Sequence, residues 1–509
     1  MNRNRLMVAN MLVTCGFAAV NFILGLVEVR LFLSNYGSVV NGLIQTGNQA
    51  LSYISLIESG ICAAFLYYLY KPIGAGDYRQ VSCLHKGFQQ SMQRVVTLMM
   101  IAALAICAIM PVAIQDKTLG YGLSFAILAL TAARFILPYA ISLAPKYMLI
   151  AKEQKYKAEI IDGLKLTGVY LADVLILLFW KPPILLLLLV NALIVLGVSL
   201  LCRAMMRRAY RGCLSEDVQA DKTPAKMSRD LLAHNVSGLA FNSSANIVLS
   251  IFTPSLTSAT VYSSYNRIIS NIVSTGQKIV EGANASMGIK ISRNDANVYS
   301  VFREIVSSTQ FLFSVISIVA IACINTFIRL WIGEQYILPA ACAYLFGLSI
   351  YAETMLRAYF TARNARGLFK ESRNFTILQA VVHIALSVAL VGKLGVLGIL
   401  IGITVGRYLI ALPCNYRLVY RQVFSSEKPR WWELAAAPGV IVALALLSQG
   451  ICACFGALSD IALLLCQFAV SLTVSVLGCF VYQRATDQWF GPMLKRCMAL
   501  LHRQSGRQN

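Results

Sequence analysis

Apolar runs of about 18 to 25 residues recur along the whole 509-residue chain, separated by short charged segments. Each run is long enough to cross about 30 Å of hydrocarbon as an α-helix. Membrane-spanning β-strands would instead alternate between apolar and polar residues, whereas stretches such as 185–190 and 461–466 are continuously apolar. The sequence therefore predicts an all-α polytopic membrane protein with about fourteen transmembrane helices.

The spans are delimited by the charged breaks between the apolar runs. They are residues 8–34, 38–69, 95–114, 121–143, 160–180, 183–202, 231–253, 258–286, 306–328, 337–358, 375–391, 396–413, 434–456 and 459–482. Arg3 and Arg5 precede the first span, but no small-residue cleavage site follows it. We therefore expect an uncleaved first helix.

The distribution of basic residues predicts the orientation. The net charge is +22, although only 13% of the residues are charged. With a cytoplasmic N-terminus, 34 of the 44 Lys and Arg residues fall in cytoplasmic segments and four in outer ones. This asymmetry follows the positive-inside rule, and basic loops that face anionic headgroups need no nucleic acid as partner. We expect a multi-pass protein of the bacterial cytoplasmic (inner) membrane with both termini in the cytoplasm.

The sequence lacks motifs for disulfide formation, metal binding, nucleotide binding or catalysis. The 14 cysteines are scattered through apolar segments without a CxxC pair, which indicates small buried thiols rather than disulfides. The sequence has no metal-ligand cluster, glycine-rich phosphate loop or nucleophile elbow. We therefore expect no catalytic residue, no metal and no cofactor, so that energy comes from an H⁺ or Na⁺ gradient or from a partner.

The longest charged break, from Arg203 to Arg229, has the composition of a linker and separates six spans from the next six. We predict an N-terminal six-helix lobe, a cytoplasmic linker, a pseudo-symmetric C-terminal six-helix lobe, and two additional transmembrane helices with a basic cytoplasmic tail. Their bounds are 1–215, 216–230, 231–425 and 426–509. Internal duplication of this kind is how many transporters build a central site between repeats.

A polar stripe follows the second helix of each half at steps of three and four residues, so that each stripe occupies one helical face. The stripes consist of Asn41, Gln45, Asn48, Ser52, Ser55 and Ser59, and of Ser263, Asn266, Ser270, Ser274, Gln277, Glu281 and Asn284. Asn235, Asn242 and Asn246 share a face of the helix that opens the second half. Such residues can hydrogen-bond between helices. Stripes along whole helices in both halves favour a water-filled cavity.

Ionisable residues at membrane depth are costly and mostly functional unless a neighbour neutralises them. Three pairs are spaced for local compensation, namely Asp162 with Lys165, Lys278 with Glu281, and Glu353 with Arg357. Five residues have no opposite charge one turn away, namely Glu58, Arg134, Asp173, Arg267 and Arg407. Glu28 and Arg30 lie on different faces and rank lower, and the lone histidines His234 and His383 are interpreted as packing residues.

The arginines indicate an anionic substrate, since a guanidinium group stays charged and donates paired hydrogen bonds to phosphate or carboxylate. The substrate-binding candidates are Arg134, Arg267, Lys278, Arg407, Asn48, Asn242 and Asn266. Glu58 and Asp173 are the candidates for binding a coupling ion, and each could instead pair with an arginine.

The stretch YGSVVNGLIQTGNQALSYISLIESGICAAFLYYLYKPIGAGDYRQ, residues 36–80, resembles the opening of bacterial polysaccharide exporters. These are the Wzx-like oligosaccharide-lipid flippases of the multidrug/oligosaccharidyl-lipid/polysaccharide (MOP) exporter superfamily. The resemblance implies two six-helix lobes around a central cavity that opens alternately to each side. It also implies transport of an undecaprenyl-pyrophosphate-linked oligosaccharide for lipopolysaccharide or capsule biosynthesis.

The expected partners are thus the lipid-linked oligosaccharide, membrane lipids and other polysaccharide-assembly proteins, with the chain itself a monomer. Two alternatives belong to the same superfamily, a peptidoglycan-precursor flippase and a cation-coupled drug exporter. A membrane-embedded polysaccharide polymerase is a third, but it would need a sizeable outer loop for catalysis, and the predicted outer connections are short.

Overall fold

The computed structural model describes residues 3–152, 154–215, 217–221, 223, 241, 243–292, 297–366, 368–455 and 458–494. Within these ranges the secondary structure is helical and comprises sixteen α-helices. Nine helical segments there are long and apolar enough to cross a membrane. The predicted all-α membrane fold is confirmed.

The helices divide into two compact units, and the first covers Met1–Thr260. Its helices are α1 (Arg3–Ile54), α2 (Leu56–Ala75), α3 (Tyr78–Ala113), α4 (Tyr121–Ile141), α5 (Leu143–Ala151), α6 (Lys155–Phe179), α7 (Ile184–Ala209) and α8 (Ala245–Phe252). Helix α9 (Thr257–Ser292) begins in the first unit and continues into the second.

The second unit covers Val261–Asn509. After α9 it contains α10 (Val298–Ile332), α11 (Ala340–Ala365), α12 (Phe369–Leu394), α13 (Val396–Val405), a π-helical segment (Gly406–Ala411), α14 (Leu412–Gln422), α15 (Trp432–Ala453) and α16 (Asp460–Thr486). The division into two six-helix lobes and two additional helices stays a prediction.

Two breaks interrupt the first predicted spans. Gly37 has φ 80° inside α1, a left-handed conformation that favours glycine, and it separates the first span from the second. Within the predicted span over 38–69, a turn at Ser55 separates α1 from α2. The hydroxyl groups of Ser52 and Ser55 donate to the Gln49 and Ser52 carbonyls at 2.6 and 2.7 Å. Such bonds compete with the helical ladder.

Helices α3 and α7 extend beyond the predicted spans. Helix α3 starts at Tyr78, where the Asp77 side chain accepts a hydrogen bond from the Gln80 amide at 3.0 Å. Its first turns bury Val81 and Leu84 and expose polar residues, so they form an amphipathic extension rather than an apolar run. Helix α7 continues to Ala209, so the linker composition that begins at Arg203 did not mark the helix end.

Large apolar side chains point outward from several helices, as expected in contact with lipid. On α3 and α16 they include Ile101, Leu104, Ile461, Leu465 and Val481, each more than three-fifths exposed. The interior of each unit is apolar as well, around Phe65 in the first and Phe302 in the second. Twelve cysteines among the described residues are free thiols, of which six are buried and six are partly or fully exposed.

Candidate functional site

A buried carboxylate lies inside the first unit. Asp173 of α6 is 3% exposed, and Asn191 of α7 donates a hydrogen bond to its Oδ2 atom at 3.2 Å. The Oδ1 atom accepts no hydrogen bond from the residues that the structure describes. A buried carboxylate is costly unless its charge and lone pairs are satisfied. Asp173 therefore has the chemistry to take up a proton or a small cation.

Two further ionisable side chains act on Asp173. Glu28 of α1 and Arg134 of α4 lie close enough to interact electrostatically with its carboxylate. The sequence singled out Arg134 and Asp173 separately, and in the structure the charge of Arg134 acts on the Asp173 carboxylate. Glu28, which ranked lower together with Arg30 in the sequence analysis, is partly buried, whereas Arg30 is exposed.

A second charged cluster lies in the second unit and centres on one carboxylate. Arg407 is 8% exposed, its Nη2 atom lies 2.5 Å from Glu353 Oε2, and its Nη1 atom donates to the Ser349 hydroxyl. Arg357 lies 3.6 Å from the other carboxylate oxygen of Glu353. The predicted Glu353–Arg357 pair is confirmed. For Arg407, which has no opposite charge one turn away, the partner is Glu353 of α11. Two guanidinium groups share one carboxylate, which leaves one positive charge over among these three side chains.

The backbone around Arg407 is irregular. Arg407 belongs to the π-helical segment between α13 and α14. A π-turn shifts the helical register, and such turns are frequent at functional sites. From α9, the Gln277 side chain reaches the same cluster. With its amide oxygen toward Arg357 it accepts hydrogen bonds from Nη2 and Nε at 3.0 and 3.1 Å. Residues from α9, α11 and the π-helical segment thus form one cationic, hydrogen-bonded site, which we call the α11 charge cluster.

Helix α9 has two contrasting faces. The predicted polar stripe is only partly covered by protein, since Asn266 and Gln277 are partly exposed and Ser270 and Ser274 are exposed. On the opposite side, Ile268 and Ile272 line a partly open cavity of about 570 Å³ between α9, α10 and α16, and its lining is apolar. Because exposed groups in the hydrocarbon should be apolar, a partly uncovered polar face indicates water or a polar ligand.

The stripe on α1 has a different environment. Asn41 donates a hydrogen bond to Thr260 Oγ1 at 3.3 Å. Beside the stripe, Gln49 accepts one from the main-chain amide of Asn246 at 2.8 Å. These contacts agree with the other interpretation of the stripes, in which polar side chains form hydrogen bonds between helices. Farther along the stripe, Gln45 and Asn48 are partly exposed.

The remaining predicted residues are dispersed. Asp162 pairs with Lys165 at 3.0 Å, as expected, and also with Lys146. His383 is fully buried, with Ser387 3.3 Å from its Nδ1 atom, in keeping with packing. Arg267 is partly exposed on α9. The side chains of Glu58, Ser59, His234, Asn235, Asn242, Lys278, Glu281 and Asn284 lie outside the described part of the chain.

Sequence reasoning missed one network, which centres on Arg303 of α10. This side chain is 2% exposed and donates to both carboxylate oxygens of Glu433 at 2.8 and 3.0 Å. It also donates to Tyr420 at 3.2 Å and to Asp487 at 3.5 Å. Arg303 was counted among the loop cations, and its partners lie more than a hundred residues away. No local spacing could have revealed them.

Within the ranges that the structure describes, no group of three or more His, Cys, Asp or Glu side chains could hold a metal ion.

The fold is shared with solved transporters. The structure of the lipid II flippase MurJ in an inward closed conformation aligns with a TM-score of 0.68 at 12% identity, over 93% of this chain and 99% of MurJ. An inward-facing multidrug resistance MATE family transporter of the MOP superfamily aligns at 0.63 and 12%, over 81% and 98%. The eukaryotic MATE transporter AtDTX14 aligns at 0.54 and 12%, over 86% and 99%.

These likenesses establish the class of fold, which is that of MOP-superfamily transporters. At 12% identity they carry the fold alone. No protein-family model matches the sequence, and no curated protein sequence matches it.

Proposed function

We propose that this chain is a polysaccharide exporter of the MOP superfamily. It moves an undecaprenyl-pyrophosphate-linked oligosaccharide across the cytoplasmic membrane by alternating access. The observation that carries the proposal is the pair of faces on α9. A polar stripe at Asn266 and Ser270 suits a sugar-phosphate headgroup, and the apolar cavity at Ile268 and Ile272 suits a hydrocarbon chain. An amphiphilic substrate needs a polar and an apolar surface, and α9 carries one on each of its two sides.

The α11 charge cluster would hold the pyrophosphate. Glu353 is 2.5 Å from Arg407 but 3.6 Å from Arg357, whose side chain is 38% exposed. An incoming anion would therefore compete with Glu353 for Arg357 first, while Arg407 keeps the carboxylate in place. A guanidinium group presents paired donors to phosphate oxygens, which a lysine cannot do. Arg357 thus joins Arg407 as a substrate-binding residue.

The other predicted residues complete the proposal. Amide groups of Asn48 and Asn266 would bind sugar hydroxyls, and Arg134 and Arg267 would add positive charge. Lys278, Asn242 and Glu58 keep the roles that the sequence suggests for them.

Asp173 would couple transport to an ion gradient. Its unsatisfied Oδ1 atom and the nearby Glu28 carboxylate form a place for a proton or Na⁺, and Arg134 would compensate the charge when that ion leaves. An ion that binds one conformation more tightly than the other shifts the equilibrium between them.

The test reconstitutes the purified chain in liposomes that contain an undecaprenyl-pyrophosphate oligosaccharide with a fluorescent sugar. Flipping is measured as the sugar fraction that external glycosidase can reach. Arg357→Ala should lower the rate at least about tenfold, since a charge-assisted hydrogen bond contributes roughly 1.5–3 kcal/mol. Arg357→Lys should restore only part of it. Arg329→Ala is the matched control, because Arg329 is similarly exposed at 39% and pairs with Asp460 elsewhere.

Other substrates separate the alternatives. Flipping of a peptidoglycan precursor, with none of the oligosaccharide lipid, would favour the peptidoglycan-precursor flippase. Efflux of a cationic dye that depends on Asp173, without flipping of either lipid, would favour the drug exporter. A wild-type chain that moves none of these probes contradicts the proposal.

A further inference from the structure

The loop between α3 and α4 has a fixed shape. The Oδ1 atom of Asp116 accepts hydrogen bonds from the Thr118 amide and hydroxyl at 3.1 and 2.6 Å. The Lys117 ammonium group donates to the carbonyls of Pro111 and Val112 at 2.9 and 2.8 Å, where α3 ends. The loop is thus tied to α3 and folded on itself, which leaves the second carboxylate oxygen of Asp116 available for another partner.

That partner is 140 residues away in sequence. The Oδ2 atom of Asp116 accepts a hydrogen bond from the Leu256 amide at 3.2 Å, directly before α9 begins. A carboxylate is favoured there, because the first amides of a helix have no partner within the helix and carry partial positive charge. The Gln115 amide also donates to the Ser250 carbonyl of α8 at 3.4 Å. The α3–α4 loop therefore holds the turn between α8 and α9.

Helix α1 holds the same turn from another side, starting directly after its break at Gly37. The hydroxyl oxygens of Ser38 and Thr257 lie 2.8 Å apart, and Thr260 donates to the Ser38 carbonyl at 2.6 Å. One turn later, Gly42 allows close approach, since a Cβ atom there would overlap the Leu256 carbonyl. Thr260 is fully covered and Leu256 is 2% exposed, whereas Ser38 and Thr257 are partly exposed.

We propose that these contacts form a closure on the outer side of the transporter, which we call the outer latch. Asp116 keeps the outer latch closed. The outer latch consists of Asp116, Ser38, Gly42 and the segment 250–260. The distribution of Lys and Arg predicts that the α3–α4 loop lies on the outer side. Four of these contacts are hydrogen bonds to hydroxyl or backbone groups, which can break and form again in each cycle. The inference rests on the proposed function, since alternating access requires a closure that opens.

The chain supplies a matched control for Asp116. The tripeptide Asp-Lys-Thr occurs at 116–118 and again at 221–223. Asp221 accepts from the Thr223 amide and hydroxyl at 2.9 and 2.6 Å, as Asp116 does from Thr118. The same substitution at both sites removes the same local turn, but only at Asp116 does it remove a bond to the α8–α9 turn.

The experiment measures hydrogen–deuterium exchange of the full chain in nanodiscs, without substrate. Asp116→Ala should raise exchange roughly tenfold in both 250–260 and 38–46, because losing a hydrogen bond to a charged group permits more frequent opening. Asp221→Ala should leave both segments unchanged. Asp116→Asn keeps an oxygen for Thr118 and serves if the alanine variant misfolds. Unchanged exchange, or a rise confined to 116–118, would overturn the outer latch.

A disulfide variant tests whether the outer latch must open. Ser38→Cys with Thr257→Cys is oxidised by copper–phenanthroline, which passes the two thiol electrons to oxygen and releases two protons. Flipping should stop and should return on reduction, whereas the wild type treated identically should be unaffected. Full flipping by the crosslinked protein would overturn the inference. If the wild type flips no lipid-linked oligosaccharide, the proposed function fails, and the exchange result still decides whether Asp116 holds the latch.

Discussion

Replacing Arg303 by alanine should destabilise the second unit strongly. Its side chain is 3% exposed, and those of Glu433 and Asp487 are 12% and 8% exposed. Removal of Arg303 would leave Asp487 buried without its cation and would leave Glu433 with only the partly exposed Arg430, at 3.7 Å. Loss of one partner of a buried ion pair costs about 3–5 kcal/mol, mostly because the remaining charge is uncompensated. The Ser307 hydroxyl, which donates to Asp487, cannot replace a positive charge.

The same helix provides the control. Arg329, near the other end of α10, lies 3.3 Å from Asp460 at the start of α16, with side chains 39% and 44% exposed. Exposed ion pairs contribute only about 0–1 kcal/mol. Thermal unfolding of detergent-solubilised protein should therefore show a large decrease in Tm for Arg303→Ala and little change for Arg329→Ala.

A combined variant identifies the cause. If stranded charge is responsible, Arg303→Met together with Glu433→Gln and Asp487→Asn should recover much of the Tm that Arg303→Met loses. Equal decreases for Arg303→Ala and Arg329→Ala would refute the reasoning from burial. A triple variant no more stable than the single one would show that packing, and not charge, explains the loss.

Three further predictions concern single side chains. Asp173→Asn keeps the size of the side chain but cannot titrate, so flipping should no longer follow an imposed H⁺ or Na⁺ gradient. Persistent gradient dependence would exclude Asp173 as the coupling site. Gly87→Ala should push the linker off α3, since a Cβ there would overlap the main chain of Asp221, and proteolysis of the linker should accelerate. Gly122→Ala, at an open position, should leave proteolysis unchanged. Burial alone would raise the pKa of the Asp116 carboxyl group, but hydrogen bonds from its neighbours lower that pKa below 3.8. The carboxylate is therefore charged at neutral pH, and its stabilising contact is lost only when the pH falls through the lowered pKa. The effect of Asp116→Ala on exchange should therefore stay constant between about pH 5 and pH 8.

Local patterns in the sequence predicted what depends on local spacing. The apolar runs marked the membrane helices, and the steps of three and four residues identified Glu353 with Arg357 and Asp162 with Lys165 as pairs. They also showed that Arg407 has no opposite charge one turn away, without revealing that Glu353 is its partner. Those inferences succeed because an α-helix fixes which neighbours share a face.

Contacts between distant segments could not be predicted in this way. Arg303 reaches Glu433 across 130 residues, and Asp116 reaches Leu256 across 140. Both charged residues lie near predicted membrane boundaries, where a sequence reader expects solvent exposure. Only the packing of the helix ends against each other shows that Arg303 is buried and that Asp116 binds a helix N-terminus.

The chemistry of these two contacts indicates which segments move. Arg303 makes a bidentate, buried ion pair, and separating it would expose uncompensated charges at high cost, so α10, α15 and α16 should stay together through the cycle. The outer latch contains one carboxylate, that of Asp116. The other hydrogen bonds of the outer latch join hydroxyl and backbone groups, and water can hydrogen-bond to these groups once they separate. Opening there costs little by comparison. We therefore expect α16 to keep its exchange protection during transport, while the α8–α9 turn loses its own.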